Sequence, residues 1–229
     1  DPDGDGDLDL FLTHLGGETN TLYRAAGGLG WDDDTGRAGL GSPSVPWTGW
    51  GTAFVDLDED GDEDLVVANG AIARHRPPHR DDGSFWGGYA EPNQLYRNDG
   101  TGRFERVPDG EAGDFGRDLA VSRGLLPVDL DGDGDLDLVV ANVADPARVY
   151  RNDAGGGRSL VIRAVDPAVR REAIGARLRL RIGDRTVVRH VLPPGGYASG
   201  GPAVVHLGLR PGETVDRVDV RWVDGTEER

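Results

Sequence analysis

The sequence predicts an all-β protein: a partial β-propeller of about three blades from a larger propeller over residues 1–157, then a small antiparallel β-sandwich or barrel over 158–229. Three observations predict it. A 14-residue stretch recurs in register, as DPDGDGDLDLFLTH from Asp1, DLDEDGDEDLVVAN from Asp56 and DLDGDGDLDLVVAN from Asp129. A second phrase follows each copy, around Tyr23 (NTLYRA), Tyr96 (NQLYRNDGTGRF) and Tyr150 (ARVYRNDAGG), and Tyr23 to Asp56 and Tyr96 to Asp129 are both 33 residues. Beyond 157 the repeat stops, and a strictly alternating segment, IGARLRLRI at 174–182, takes over.

Each unit spans about 55 residues and reads as short strands between turn residues: DLVVAN, QLYRND, GRFERV, with Gly51 and Gly124 five residues ahead of their aspartate loops. That period and strand count predict propeller blades, of which a closed ring has about 4 to 8. The middle unit carries an insertion of about 18 residues within 71–92. No segment shows helical periodicity. A chain without Met that starts inside a repeated motif is expected to be a fragment, with the remaining blades outside it.

In the C-terminal part, Ala176, Leu178, Leu180 and Ile182 fall on one face of a strand and Arg177, Arg179 and Arg181 on the other, the pattern of a half-buried strand. SLVIRAV, RTVVRHVL, AVVHLGL and VDRVDVRW are further strands, joined by turns such as PPGG and RPGE.

Composition narrows the function. At 37% hydrophobic the 229-residue chain is too apolar and too patterned for disorder, while 37 Gly and 14 Pro fit a turn-rich fold. No apolar run approaches the roughly 18 to 20 residues that span a bilayer, so no membrane insertion is expected. Zero Cys excludes disulfides, zinc thiolate sites and thiol nucleophiles. The formal charge of −16 is uneven: residues 1–157 hold 32 acids and 12 arginines, a net of −20, whereas 158–229 hold 9 acids and 13 arginines, a net of +4. The acidic part repels nucleic acid and anionic membranes and attracts cations.

The aspartate loops are the candidate cation sites. Alternating carboxylates on a tight turn converge on one point, and a Gly at the sixth position lets the backbone bend around it. A hard cation taking about six to eight oxygens suits such a set, and Ca²⁺ suits it better than Mg²⁺, which keeps its waters. The candidate ligands are Asp1, Asp3, Asp5, Asp7 and Asp9; Asp56, Asp58, Asp60, Asp62 and Asp64; and Asp129, Asp131, Asp133, Asp135 and Asp137, with the seventh position contributing its carbonyl. The first six positions resemble an EF-hand, but its bidentate Glu at position 12 is replaced by Leu12, Val67 or Val140, and the loop runs into a strand.

These loops, followed by LVVAN and LYRNDG, resemble FG-GAP/VCBS-type repeats over about residues 1–157. The tail, with REAIGARLRLRIGDRTVVRHVLPPGGYASGGPAVVHLGL and then VDRVDVRWVDG, looks like an ASPIC/UnbV domain. Arg171 and Val223 depart from that domain's usual Asn or Asp and Pro. Repeats followed by this domain are the arrangement of the cartilage acidic protein family and its bacterial relatives. The resemblance implies a calcium-binding propeller in a secreted, cell-surface or periplasmic protein used for adhesion or scaffolding.

Elsewhere, the insertion AIARHRPPHRDDGSFWGGYAEP is basic and aromatic, and Trp86 and Tyr89 are a candidate ligand face for stacking on a sugar, against the plainer reading of a surface excursion. His75 and His79, separated by two prolines, make a poor metal pair. Arg177, Arg179 and Arg181 form a basic stripe for a sulfated glycan or another acidic partner, or a solvated face paired with Asp216 and Asp219. Tyr197 and Ser199 in GGYASGG do not form a nucleophile elbow. The expectation is a non-enzymatic, calcium-binding binding, adhesion or scaffolding module with a protein or glycan partner. The alternative is an enzyme or accessory protein of a biosynthetic pathway that uses the propeller as scaffold.

Overall fold

The computed structural model describes residues 1–28, 30–74, 80–153, 158–167 and 169–229. The fold is all-β and propeller-like. Three antiparallel sheets follow one another along the chain. The first contains strands Leu10–Leu12, Thr21–Ala25 and Trp31–Asp33; the second Gly49–Val55, Asp64–Asn69, Gln94–Asn98 and Phe104–Arg106; the third Ser122–Val128, Asp137–Asn142 and Arg148–Tyr150. Each sheet is a meander, hydrogen-bonded in sequence order.

In the second and third sheets the aspartate loop is the connection of a hairpin. Val55 pairs with Asp64 and Val128 with Asp137, so the last aspartate of each motif is also the first residue of the strand that leaves it. That strand lies in the interior. All of Asp64–Asn69 is buried, with Leu65, Val66 and Val67 fully so. Its period-2 alternation sorts the side chains between two cores. Leu65 and Val67 join Leu22, Leu40, Tyr96 and Phe104 toward the first sheet, and Val66 and Ala68 join Leu95, Phe115, Leu125 and Val140 toward the third. Each such fully buried Leu or Val contributes about 1.5–3 kcal/mol. The apolar run that follows the middle aspartate loop is therefore the element that packs its blade against both neighbours; the third run, through Leu138 and Val140, joins one of these cores, and Leu10 and Leu12 after the first loop are exposed.

Gly51 and Gly124 mark where backbones approach. A Cβ on Gly51 would lie 2.7 Å from the Arg123 carbonyl oxygen, and one on Gly124 would lie 2.9 Å from the Ala198 carbonyl oxygen. The helical pieces Gly41–Ser44, Trp86–Tyr89 and Gly113–Arg117 are single turns, too short to leave a periodic pattern in the sequence.

From Arg158 onward the sheets pair only among themselves among the described residues. Arg177–Ile182 lies between Arg185–His190 and Arg217–Arg221, with Glu227–Glu228 beyond, and Arg158–Ile162 pairs with Val205–Leu209. The two sheets share one apolar core, built on Ala176, Leu178, Leu180 and Ile182 from one side and Val205, Leu207 and Leu209 from the other. Among the described residues no sheet closes on itself, so the tail is a sandwich rather than a barrel.

Candidate metal centres

The three aspartate loops share one hydrogen-bond scheme. The N–H of the sixth residue, a glycine with φ of +92°, +92° and +102° in the three copies, donates to the first carboxylate. Gly6 reaches Asp1 at 3.1 Å, Gly61 reaches Asp56 at 3.0 Å and Gly134 reaches Asp129 at 3.2 Å. Left-handed backbone of this kind is open to glycine at little cost, which is why the position is a glycine in every copy. The N–H of the seventh residue donates to the fifth carboxylate, at 2.8, 2.9 and 3.0 Å in the pairs Asp7–Asp5, Asp62–Asp60 and Asp135–Asp133. The turn so fixed brings together one oxygen from each of Asp1, Asp3 and Asp5, from each of Asp56, Asp58 and Asp60, and from each of Asp129, Asp131 and Asp133, all within 4.8 Å of one another in a group.

The seventh and ninth side chains stand outside these groups. Asp62 turns to Arg210 at 2.9 Å. The ninth carboxylates anchor the loop to the next strand but one: Asp9 accepts from the Ala25 N–H, Asp64 from Asn98 and Asp137 from Asn152, each at 2.9 Å. The phrase around each tyrosine is thus the second half of the loop. Its arginine completes the arrangement. Arg24 lies 2.6 Å from Asp3 and 3.6 Å from Asp9, Arg97 pairs with Asp58 and lies 3.2 Å from Asp64, and Arg151 stands 4.0 Å from Asp131. The signal for this arginine in the sequence is its recurrence directly after each tyrosine of the repeated phrase.

Burial shapes the electrostatics. It pushes the Asp56 carboxyl up to about 6, against the N–H of Gly208, and the Asp64 carboxyl up to about 7, against the N–H of Asn98. Both side chains are almost fully enclosed, at 3% and 2% exposure. Asp1 Oδ2, Asp9 Oδ2 and Asp56 Oδ1 are buried oxygens with no hydrogen-bond partner. A buried, unsatisfied carboxylate oxygen is costly. A hard divalent cation is what such a set accommodates: oxygen donors only, several of them anionic, on a pre-bent loop. The residues present fit calcium, which the first, third and fifth side chains of each loop would hold, while the ninth side chain stands outside the convergent group on a backbone N–H.

Trp86 and Tyr89 stand in a three-ring cluster with Phe85, with centroids 5.2 to 5.6 Å apart and Arg74 over the Phe85 ring at 5.1 Å. Phe85, more exposed than Trp86, was not singled out in the sequence. His75 and His79 lie outside the described residues. In the basic stripe, Arg179 faces Asp219 across the sheet, but Arg177 faces Arg221 and Arg181 faces Arg217. Asp219 is engaged by Arg217 at 2.7 Å, and Asp216 accepts from the Gly183 N–H at 2.8 Å instead of pairing with the stripe. Ser199 Oγ accepts from the Gly196 N–H at 3.3 Å, and the Tyr197 ring packs on Trp50 at 4.8 Å.

Among the described residues no helix is long and apolar enough to cross a membrane. Comparison with curated proteins finds no match. The family model for the ASPIC and UnbV domain matches residues 167–229, and that for the FG-GAP-like repeat matches 1–67 and 84–140, together covering all three aspartate loops and the sandwich apart from its strand Arg158–Ile162. On these matches and this geometry, the chain belongs to the FG-GAP-like repeat family and carries an ASPIC and UnbV domain at its C-terminal side.

Proposed function

We propose that this chain is a calcium-stapled repeat module that works outside the cytosol as a binding, adhesion or scaffolding platform for a protein or glycan partner, with no chemistry of its own. The observation that carries the reading is Asp56: a buried carboxylate with one oxygen satisfied by two backbone N–H groups and the other left without a hydrogen-bond partner, in a loop whose scheme recurs twice more. Calcium on such a loop supplies charge neutralisation and cross-links the hairpin to the strand that follows. Three ions would bring the formal charge from −16 to −10, with the relief placed where repulsion is greatest.

Compartment follows from affinity. For sites with a Kd of about 0.1 mM, between sensors and extracellular modules, calcium at about 1 mM stabilises each loop by about 1.4 kcal/mol. At submicromolar calcium that contribution nearly vanishes. The decisive experiment is a melt in calcium and in EDTA at neutral pH, with metal analysis of the purified protein. A clear drop in Tm in EDTA supports the reading; an unchanged melt with no calcium in the protein overturns it.

One observation favours the alternative, an enzyme or biosynthetic accessory protein. A cavity of about 400 Å³ opens between repeats and tail, lined by Phe11, Phe54, Leu136, Leu192, Arg189 and His206, within the size range of small-molecule sites. Saturable, calcium-dependent binding on a glycan array favours the platform.

A further inference from the structure

The C-terminal domain touches all three aspartate loops at the same atom. The carbonyl oxygen of the sixth residue accepts a hydrogen bond from a tail side chain in each copy: Gly6 from His190 Nε2 at 3.1 Å, Gly61 from Arg189 Nη2 at 2.8 Å and Gly134 from His206 Nε2 at 2.7 Å. A carbonyl only accepts, so each imidazole carries its proton on Nε2. The N–H of the same glycine is already held by the loop's first carboxylate, and the next N–H by the fifth. The peptide joining positions six and seven is therefore pinned at both polar ends, its oxygen by the tail and its N–H by a loop carboxylate. That peptide sets where the fifth carboxylate and the seventh carbonyl stand.

The middle loop shows the same division of labour more fully. Asp56 Oδ2 accepts from Gly208 in the tail at 2.8 Å as well as from Gly61, while its Oδ1 stays without a hydrogen-bond partner. Arg210 donates to the Asp60 carbonyl at 2.7 Å and to Asp62 at 2.9 Å. The tail thus takes two backbone carbonyls of this loop, at Asp60 and Gly61, and one oxygen each of Asp56 and Asp62. Asp56 Oδ1 keeps no hydrogen-bond partner.

Arg189 and His190 are neighbours on strand Arg185–His190 and reach different loops, because consecutive side chains of a strand leave on opposite sides. His206 does the same for the third loop from strand Val205–Leu209, in the other sheet of the sandwich. Three loops from three units and two strands from two sheets meeting at one equivalent atom is not what incidental packing produces.

We propose that Arg189, His190 and His206 are positioning residues for the three cation sites, so that loading the loops and docking the C-terminal domain are one coupled equilibrium. This rests on the calcium reading above. Groups that orient a metal ligand from outside change metal affinity by about 10–100-fold when removed, and coupling of this kind is reciprocal: whatever the docked domain adds to cation affinity, the cation returns to docking.

The test uses the full chain and calcium titration calorimetry on the unmodified protein, His206→Leu and His206→Gln. The expected result is that His206→Leu weakens one of three sites by about ten-fold or more and leaves two unchanged, while His206→Gln, which keeps a donor, restores most of the affinity. Unchanged affinity at all three sites in His206→Leu overturns the inference, even where its Tm falls. Amide exchange on the unmodified chain asks the same question without a mutation. Protection of Arg185–His190 and Val205–Leu209 rises on adding calcium if docking and loading are coupled, and unchanged protection overturns the proposal. If the unmodified chain binds no calcium, the calcium reading falls and takes this inference with it; if it binds calcium and neither variants nor exchange respond, this inference alone falls.

Discussion

The side-chain amide of Asn98 bridges two units: its Nδ2 donates to the carbonyl of Pro2, the second residue of the first aspartate loop, at 2.7 Å, and to that of Glu63 at 3.0 Å. Its Oδ1 accepts from the N–H groups of Gly100 and Gly102 at 3.1 and 3.0 Å, so the buried amide makes four hydrogen bonds. Asn152 repeats the bridge one unit on, donating to the Leu57 carbonyl, again the second residue of the preceding loop, at 2.8 Å. Replacing Asn98 with Ala leaves several buried backbone groups unpaired, at about 1 kcal/mol or more each. The expected loss is about 3 kcal/mol. Asn152→Ala, at a half-buried site, is expected to lose about half as much. Urea denaturation of both variants checks this, and equal losses would show that the bridge both residues make to the preceding loop outweighs the further hydrogen bonds of Asn98.

Gly61 tests the tight side of the loop. Its φ is +92°, and a Cβ there would lie 2.6 Å from the Arg185 guanidinium, which is itself tied to Glu213 at 2.6 and 2.9 Å. Gly132, with φ of +81°, faces open space. Gly132→Ala is expected to cost about 1 kcal/mol from backbone strain alone, and Gly61→Ala distinctly more, with weaker calcium binding. Thermal melts of the two variants side by side give the answer; equal shifts would mean that Arg185 yields freely.

Glu91 gives the pH dependence. It is 1% exposed, accepts from the Thr48 N–H at 2.9 Å, and burial pushes its carboxyl from the ordinary 4.5 up to about 7. Between those values the folded chain holds a proton that the unfolded chain has released, so stability falls as pH rises through about 4.5 to about 7. Glu91→Gln removes the titration and keeps an acceptor for Thr48. It is expected to melt above the parent at pH 8, by the equivalent of about 3 kcal/mol, with the gap closing below about pH 5. A gap that stays constant with pH, at fixed calcium, would assign the change to packing instead.

Arg97 gives a prediction of opposite sign for metal and for fold. Its guanidinium sits on Asp58, one of the carboxylates that would hold the ion, and on Asp64 at the end of the same loop. A positive group that close opposes a dication and stabilises the carboxylates without one. Arg97→Ala is therefore expected to tighten calcium binding at the middle loop by about 3- to 10-fold and to lower the Tm in EDTA. Calorimetry and a melt in EDTA read the two effects separately; weaker calcium binding would make Arg97 a support of the site rather than a competitor.

Much of the fold was legible because its signals are local. The alternation Ala176, Leu178, Leu180, Ile182 appears unchanged as the inner face of the sandwich, and the runs LVV after the aspartates are the strands between blades. The bend of the loop was legible for the same reason, since Asp and Gly at fixed positions act on one another within six residues. Partners far away in the chain left no such trace. Nothing near Gly134 points to His206, 72 residues on, and nothing near Arg179 shows that its neighbours Arg177 and Arg181 face arginines. The roles of Arg24, Arg97 and Arg151 fall between: the recurrence is visible, but the carboxylates they meet become known only when strand register is fixed.

The bridge from Asn98 to Pro2 sets how small a working piece of this protein can be. A segment cut at the sequence period, from Asp1 to Val55, holds the first loop but lacks the amide that clamps its second residue. Shuffling or excising units one period at a time would always leave one loop without its clasp. The shortest stretch that keeps a loop together with its clasp is one repeat plus the tyrosine phrase of the next, so the sequence period and the mechanical unit are out of phase.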